Sequence, residues 1–397
     1  MYEIVALLAG FTLLYSSLAG GIERSRLSGP IVFTLFGLVV GTGGLNLLDV
    51  DVQREFVKVL SELTLALVLF TDASVADLGV LRRARALPAR LLLLGLPLTI
   101  ALGYGVGLLL FDELSIFEIA VLATILAPTD AALGQAVVSN EDVPAPIRQG
   151  LSVESGLNDG ICVPILFLFL ALAVGDVGHG GGGRLALILV AEEIGIGALA
   201  GLLLTGLALV LFRISRNRDW VSDVWIQAQV VALALLCFAS AQAAGGSGFI
   251  ACFVGGLLLR ARPVDDREQL VRAAEGMAGT LALLTWVVFG AVVISRYATP
   301  IRWEIMAYAI LSLTIIRMLP VFVCLIGMPF RTEEKLFIGW FGPRGLASIV
   351  FGIIMLNADL PHGQTLAQVV LWTVIFSIVG HGVSANVWAK ALGARSR

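Results

Sequence analysis

Residues 149–172 read QGLSVESGLNDGICVPILFLFLAL, a stretch that combines two properties seldom found together. Its second half is almost purely apolar, whereas its first half carries Glu154, Ser155, Asn158 and Asp159 within two helical turns. A charged side chain at the centre of a membrane helix costs about 2.5–3.5 kcal/mol on insertion scales, so residues of this kind usually have a function. The stretch therefore predicts a membrane helix with a polar functional face.

The rest of the chain has the composition of a polytopic membrane protein. Of the 397 residues, 58% are hydrophobic and 14% are charged, and the mean hydropathy is +0.96. Soluble domains have about 25% charged residues, so this chain falls outside that class. We predict an all-α membrane protein with about 13 transmembrane helices, because apolar segments suited to ~30 Å of hydrocarbon recur along the chain. They lie at residues 2–20, 30–47, 57–76, 86–111, 116–138, 145–173, 185–212, 222–244, 247–260, 270–294, 302–326, 335–356 and 364–391.

The connecting segments predict the orientation of these helices. Alternate connections carry most of the 26 Lys and Arg residues, and the connections between them contain only Arg54, Lys58, Arg184, Arg296 and Arg302. Basic connections stay on the cytoplasmic side, so we expect the N-terminus outside and the C-terminus in the cytoplasm. The first segment lacks the basic start of a signal peptide, which indicates a retained helix. We expect one membrane transporter domain over residues 1–397, with no appended soluble domain.

Two of the predicted spans are interrupted. The fifth, VLATILAPTDAALGQAVV at residues 121–138, has Pro128 beside Asp130, and the twelfth, FIGWFGPRGLASIVFGII at residues 337–354, has Gly342 and Pro343 beside Arg344. Proline removes a helical hydrogen bond and frees backbone carbonyl groups. Interrupted helices at corresponding places in two halves of a transporter indicate inverted repeats. Because these spans are seven apart, spans 1–6 would match spans 8–13, with span 7 as the linker.

Ionisable residues inside the spans fall into two groups. Those deep in the spans are candidates for function: Asp130, Glu154, Asp159, Arg317 and Arg344. Those nearer to span ends are more simply explained by solvation or subunit packing: Glu62, Asp72, Glu192, Glu193 and Glu275. On a helix, Glu154 and Asn158 form one stripe and Ser155 and Asp159 the next, so one stripe can face a charged neighbour and the other a cavity.

The chemistry of these groups indicates the kind of ligand. Thr129 and Asp130 of the fifth span would meet the polar face of the sixth, beside the carbonyl groups that Pro128 frees. Carboxylates, a hydroxyl group and free carbonyl groups form an all-oxygen site, which suits a hard cation such as Na⁺ or K⁺. No cysteine or histidine is near enough in sequence to indicate a soft metal. The four cysteines lie in apolar segments and are expected to be buried thiols.

These residues resemble a known family. The segments APTDAA at 127–132, VESGLNDG at 153–160, TIIRMLP at 314–320 and GPRGLAS at 342–348 are similar to those of the NhaP-type branch of the monovalent cation:proton antiporters, which is related to the sodium/proton exchangers of animals. The resemblance covers nearly the whole chain, including the order of the motifs. It implies a homodimer in which each protomer has a dimerisation domain and a mobile transport domain with two crossed broken helices, spans 5 and 12.

The resemblance also implies a set of cation-binding residues. Asp159 would bind either the cation or the proton. Asp130, Ser155, Glu154 and the backbone of Thr129 would complete or support that site. The monovalent cation itself would contact Asp159, Asp130, Ser155 and Thr129.

A second set of residues is expected to have a structural role. Arg317 would pair with Glu154 and Asn158 as a clamp, and physical chemistry agrees, because a buried glutamate needs a partner and a guanidinium group can satisfy a carboxylate and an amide together. The broken helices would be supported by three residues: Arg344, Pro128 and Gly342. Electrogenic relatives have Asp-Asp where this chain has Asn158-Asp159, a departure that favours electroneutral exchange.

The resulting prediction is a secondary active antiporter, not an enzyme. It would exchange Na⁺, K⁺ or Li⁺ for a proton, 1:1, by alternating access, with both ions competing for Asp159. A K⁺-selective K⁺/H⁺ antiporter and a proton-insensitive cation channel are the alternatives, although a channel would be expected to repeat its filter residues around a pore. An intramembrane aspartyl protease would also need two aspartates, but residues 156–159 lack its Gly-x-Gly-Asp motif.

The expected surroundings follow from this prediction. The protein would be embedded in the lipid of a cell inner membrane and would act in pH homeostasis. Its partners would be monovalent cations, protons, the lipid bilayer and a second copy of the chain, with no nucleic acid. No cofactor is expected, since Na⁺ or K⁺ and H⁺ are transported substrates.

Overall fold

The computed structural model of the protein describes residues 2–22, 28–47, 54–76, 86–138, 140–177, 183–261 and 267–396. Within these ranges the chain consists of helices and connecting turns and has no β-strand. In hydrocarbon every backbone N–H and C=O group needs an internal partner, so an apolar chain of this kind folds into helices. The prediction of an all-α protein is confirmed.

Helices occupy all the segments that the sequence predicts, and we number them accordingly. They are α1 (Tyr2–Ile22), α2 (Gly29–Val40), α3 (Arg54–Val75), α4 (Ala86–Arg90, Leu91–Gly95 and Leu96–Leu110), α5a (Ile116–Ile125), α5b (Ala131–Val138), α6 (Ala145–Val177), α7 (Gly183–Asn217), α8 (Asp223–Ala243), α9 (Gly248–Ala261), α10 (Arg267–Val288, Phe289–Ile294 and Ser295–Tyr297), α11a (Trp303–Leu313), α11b (Ile315–Cys324), α12a (Thr332–Trp340), α12b (Leu346–Leu356) and α13 (Gly363–Ser396). The middle pieces of α4 and α10 are π-helical turns.

The lengths of these helices are those of a multi-pass membrane protein. Among the described residues, seven helices are long and apolar enough to cross a membrane by themselves, and five apolar helices are shorter. Two of the shorter ones, α5a and α12b, are halves of the broken helices. The predicted class of protein, a polytopic helical membrane protein, is therefore confirmed.

The helix α6, which contains the polar stretch, lies at the centre of the packing. It contacts α3, α5a, α5b and α7, while α3 packs against α9 and α10, and α13 packs against α11a and α12b. Close approach of α9 to α3 requires a glycine at position 256, because a Cβ atom there would meet the carbonyl group of Phe70. All four cysteines are buried and free, as predicted. Their thiols act as small apolar groups between the helices.

Both predicted interruptions are present, and a third was not predicted. The first separates α5a from α5b around Pro128, and the second separates α12a from α12b around Pro343. Both prolines lack an N–H group, so the helical ladder stops there. The third lies at Thr314 (φ −108°, ψ −95°), between α11a and α11b. No proline or glycine marks it, whereas Pro320 sits inside α11b without ending it.

The connecting segments meet at two ends of the helix bundle. At one end, which we call the basic end, the side chain of Arg90 donates to the carbonyl group of Ile326 at 2.7 Å, and Arg260 donates to Ala76 at 2.9 Å. At the opposite end, Arg302 and Glu113 form an ion pair. The hydrogen bond from Arg302 lowers the pKa of Glu113.

Candidate cation site

Asp130 connects the two breaks. Its backbone N–H group donates to the carbonyl group of Pro343 at 2.8 Å. Its carboxylate accepts from the N–H groups of Leu133 at 3.0 Å and Leu346 at 2.6 Å, so it caps the N-termini of α5b and α12b together. A helix N-terminus carries about half a positive charge, which stabilises a carboxylate placed against it. Gly345 leaves room for this contact, because a Cβ atom there would collide with the carboxylate.

Arg344 occupies the complementary position, at the carbonyl ends of the breaks. Its side chain is fully buried, and its Nη1 atom donates to the carbonyl groups of Pro128 at 3.2 Å and Gly342 at 3.1 Å. The C-terminal end of a helix carries a partial negative charge, which stabilises a cation there. Asp130 thus balances the N–H ends of the breaks and Arg344 balances the carbonyl ends. This division explains how both charges are accommodated in the interior.

Arg317 and Glu154 form a bidentate pair. The Nη1 and Nη2 atoms of Arg317 lie 2.6 Å and 2.8 Å from the two carboxylate oxygens of Glu154, and each side chain is only 1% exposed. A glycine at position 342 makes room for the guanidinium group, because a Cβ atom there would overlap it. Paired N–H···O bonds of this kind are among the strongest in proteins and fix geometry as well as charge. The pair ties α6 to α11b, directly after the break at Thr314.

Thr129 accepts hydrogen bonds from two neutral polar side chains of α6. The Ser155 hydroxyl donates to the Thr129 carbonyl group at 2.5 Å, and the Asn158 amide donates to the Thr129 hydroxyl at 2.7 Å. The expected contact between Asn158 and Arg317 is not made, since neither Asn158 Oδ1 nor Arg317 Nε has a hydrogen-bond partner among the described residues. Glu154 already occupies both terminal nitrogens of Arg317. Positions 155 and 158, three apart on a helix, instead share the face toward Thr129.

Asp159 has a carboxylate oxygen that is not engaged. The side chain is buried, and its Oδ1 atom has no hydrogen-bond partner in the part of the chain that the structure describes. Asp72, Asp130 and Arg344 interact with it electrostatically. A buried carboxylate without a partner is costly unless a proton or a cation compensates its charge. Asp159 therefore differs from Asp130, whose oxygens accept two backbone hydrogen bonds.

Asp72 on α3 reaches the same region, although the sequence placed it among the span-end residues. A Cβ atom built on Gly156 would lie 3.7 Å from the Asp72 Cβ atom, so α3 and α6 touch one turn before Asp159. A cavity of ≈ 330 Å³ at the basic end is lined in part by Asp72, Arg148, Ser152 and Gly156. Only the packing of α3 against α6 shows that Asp72 lies near the candidate site. The one sequence signal, an aspartate after a long apolar run, is shared by ordinary helix ends.

The other acidic residues near span ends lie farther along the cavities. Glu275 lines the same cavity as Asp72. Glu62 and Glu193 line a second cavity of ≈ 390 Å³ toward the opposite end, where Glu62 also lies 3.8 Å from the ammonium group of Lys58. Glu192 is exposed. The structure thus brings together the deep set that the sequence singled out and adds Asp72 to it.

Comparisons with known proteins identify related chains. The sequence profile of the family described as "Sodium/hydrogen exchanger, transmembrane" matches residues 10–391. The K⁺/H⁺ antiporter NhaP2 of Shewanella sp. (strain MR-4) is 25% identical over 392 residues, which cover 98% of this chain and 66% of that protein. The Na⁺/H⁺ antiporter of Schizosaccharomyces pombe is 22% identical over 318 residues, which cover 72% of this chain and 68% of that protein.

A solved structure has the same fold. The sodium proton antiporter MjNhaP1 from Methanocaldococcus jannaschii superposes with a TM-score of 0.77 over 100% of this chain and 99% of that chain, at 22% sequence identity. The present chain spans 66% of the length of the NhaP2 relative, just under two thirds. The profile match extends over nearly all of the described helices, including both breaks and the polar stretch of α6. The chain belongs to the sodium/hydrogen exchanger family.

Proposed function

We propose that the protein exchanges a monovalent cation for a proton across a membrane. The observation that carries this proposal is the buried carboxylate of Asp159, whose Oδ1 atom has no hydrogen-bond partner among the described residues. The Ser155 hydroxyl on α6 donates to the Thr129 carbonyl group, so the two groups that meet on this side of α6 present oxygen atoms. Oxygen ligands suit a hard cation, and a carboxylate can equally take up a proton.

The exchange follows from competition for one charge. A cation that binds Asp159 replaces its proton, and a proton that binds releases the cation to the nearest cavity. Asp159 is buried, and Asp72 and Asp130 add negative charge near it, so the empty, ionised site is the unfavourable state. The site therefore switches from one side of the membrane to the other with either a cation or a proton bound. Asp130, fixed by two helix N-termini, contributes charge and backbone position to the site.

The stoichiometry that we propose is one cation for one proton. Glu154 is paired with Arg317, and Asn158 is uncharged, so neither changes charge during the cycle. Arg344 donates to carbonyl groups of both breaks and serves as a fixed cation. Only the Asp159 region then gains and loses a positive charge. Such an exchange would be electroneutral.

The placement in the membrane that we propose has the basic end in the cytoplasm, with the N-terminus outside. The positive-inside rule supports this orientation. The cavity beside Asp72 and Gly156 then faces the cytoplasm, and the cavity beside Glu62 and Glu193 faces outward. We further propose thirteen spans built as one transporter domain, inverted repeats with crossed broken helices, and a homodimer in a cell inner membrane. The MjNhaP1 fold supports the arrangement of helices.

The ion could be Na⁺ or K⁺, since the named relatives include a K⁺/H⁺ antiporter and a Na⁺/H⁺ antiporter. The test uses purified protein in liposomes that contain a pH-sensitive dye. After a pH gradient is imposed, NaCl, LiCl or KCl is added in turn. We expect at least one of these ions to collapse the gradient, while choline chloride and protein-free liposomes leave it intact.

Two outcomes would contradict the proposal. Cation flux that does not depend on protons would favour a channel. Exchange whose rate follows a membrane potential clamped with valinomycin and K⁺ would refute the 1:1 stoichiometry, while leaving antiport itself in place. A response to K⁺ alone would identify the K⁺-selective form.

A further inference from the structure

His381 on α13 lies against the second break, far along the chain from the motifs of the site. Its side chain is 1% exposed. Its Nε2 atom is 2.8 Å from the carbonyl oxygen of Trp340, the last residue of α12a. Its Nδ1 atom is 3.2 Å from the hydroxyl of Ser377, which in turn accepts the backbone N–H group of Arg344 at 2.7 Å. The imidazole ring thus joins the two flanks of the break.

The break leaves backbone groups that need partners. Between Trp340 and Leu346 the helical ladder is interrupted, and Pro343 has no N–H group to donate. An unsatisfied backbone group in an apolar interior costs several kcal/mol, so residues that satisfy such groups determine the shape of the break. His381 and Ser377 do this from outside the broken helix, at the carbonyl group of Trp340 and the N–H group of Arg344.

The partners limit the state of the ring. Each ring nitrogen lies 2.8 Å from a carbonyl oxygen, Nε2 from that of Trp340 and Nδ1 from that of Ser377, and since a carbonyl oxygen can only accept, the neutral ring donates to one of the two. The ring is buried in the apolar interior, which disfavours the charged imidazolium. With the hydrogen on Nε2, the ring donates to Trp340 and Nδ1 accepts from the Ser377 hydroxyl at 3.2 Å, and this is the arrangement that links the two flanks of the break.

The same break positions the candidate site. Leu346 donates to the carboxylate of Asp130, Pro343 accepts from the Asp130 N–H group, and Arg344 donates to the carbonyl group of Pro128. A shift of residues 343–346 would therefore displace Asp130 and, through Pro128, the neighbouring Thr129.

We propose that His381 is a positioning residue of the cation site. It acts through Ser377 and the second break, without touching the ion. This inference rests on the proposed exchange function. It assigns a role to a histidine that the sequence showed only as an isolated residue in the last span.

The test compares four single variants and one double variant in the liposome assay, with apparent KM for the cation and maximal rate measured separately. His381→Phe removes both ring hydrogen bonds, and Ser377→Ala removes the relay hydroxyl. His381→Gln offers an amide N–H group to the Trp340 carbonyl and an amide oxygen to the Ser377 hydroxyl. Ser384→Ala is the matched control, because Ser384 lies on the same helix and binds the Trp340 indole, not its backbone. Thermal unfolding in detergent identifies the variants that are folded.

We expect His381→Phe and Ser377→Ala each to raise the apparent KM roughly tenfold, the lower end of what losing an outer-shell partner costs at metal sites. Combining the two should cost no more than the larger single effect, since they act in one relay. His381→Gln should recover most of the loss, and Ser384→Ala should stay within about twofold of wild type, a typical effect for a residue outside the relay.

The proposal would be overturned by a folded His381→Phe variant with wild-type KM, by equal losses in Ser384→Ala and Ser377→Ala, or by additive losses in the double variant. If His381→Phe does not fold, Ser377→Ala decides, because it removes only one hydroxyl. Wild-type protein without any cation-dependent proton exchange would overturn the exchange function and this inference together. Wild-type exchange with an unchanged Ser377→Ala variant would overturn the inference alone.

Discussion

At the scale of single residues, two neighbouring buried aspartates differ in what their oxygens contact. The carboxylate of Asp130 accepts from Leu133 and Leu346, which hold it at the ends of two half-helices. Asp159 Oδ1 has no such partner within the described residues. A ligand that must bind and leave in every cycle needs an oxygen of the second kind, because displacing fixed backbone hydrogen bonds would cost free energy each time.

The first prediction concerns the carboxylates of Asp159 and of Asp72, which lines the cavity at the basic end. Asp159→Asn should abolish exchange and leave the protein folded, because the amide fits the same space but cannot ionise. Asp72→Asn should keep exchange with a weaker apparent affinity, since it removes charge near the site and leaves Asp159 in place. Dye-based flux and thermal unfolding measure the two effects. Native-rate exchange by folded Asp159→Asn protein would require another residue as the carrier.

The second prediction concerns the pair of Arg317 and Glu154. Removing one member of a buried pair leaves an uncompensated charge, at a cost of about 3–5 kcal/mol, whereas replacing both can be nearly neutral. Arg317→Ala should therefore lower thermal stability strongly and Glu154→Gln less strongly. The double variant should recover part of the loss, with a coupling above ~0.5 kcal/mol in a double-mutant cycle. Simple addition of the two losses would show that the pair contributes nothing.

At the scale of helices, the two breaks are held together by one anionic side chain, Asp130, and one cationic side chain, Arg344. Asp130 accepts from the N-termini of α5b and α12b, and Arg344 donates to carbonyl groups of both breaks. The contacts need space, which glycines provide. A Cβ atom at Gly345 would collide with Asp130, and one at Gly342 would overlap the guanidinium group of Arg317.

The third prediction tests this space. Gly345→Ala should displace the Asp130 carboxylate, break its bond with Leu346, destabilise the protein by about 1–3 kcal/mol and remove exchange. Gly134→Ala is the control in the other broken helix, because among the described residues its new Cβ atom would meet only Pro343 Cγ, at 3.9 Å. Alanine is about 1 kcal/mol better than glycine within a helix, so this control should be neutral or stabilising. Equal effects of both substitutions on exchange would refute the role of Gly345.

At the scale of the whole molecule, two cavities approach the centre from opposite ends. The first is lined by Gly156 and the second by Phe167, both on α6, which places them about 16 Å apart along the helix axis. Cys162, Val163 and Leu166 lie between them and are at most 1% exposed. The cavity at the basic end borders Asp72, next to the candidate site, while this apolar layer separates the other cavity from it. The candidate site is therefore closer to the cavity at the basic end than to the other cavity.

The fourth prediction tests the access and orientation of these cavities. A cysteine at Ser152 should react with a membrane-impermeant thiol reagent only in inside-out vesicles, and a cysteine at Asn357 only in right-side-out vesicles. Both positions are exposed and line the first and second cavities, respectively. The four native cysteines are buried, so unmodified protein provides the background. Reaction in the reverse vesicles would invert the proposed topology.

Much of this protein could be predicted from the sequence. Apolar composition and repeated long segments predict a helical membrane protein because the bilayer permits few other structures. Pro128 and Pro343 mark both breaks because a missing N–H group acts locally, whatever the rest of the fold. The breaks appear where the prolines stand, and the deep charges of α6 lie beside them. These features depend on residues within a few positions of one another.

The choice of partners was decided by the tertiary structure. Asn158 contacts Thr129, not Arg317, and Asp72 joins the site from α3. The break at Thr314 and the contact of His381 with Trp340 also have no local signal. Each depends on which helices lie side by side and on how each is rotated about its axis. Packing across the bundle sets these quantities, and a rotation of a few tens of degrees would exchange one partner for another.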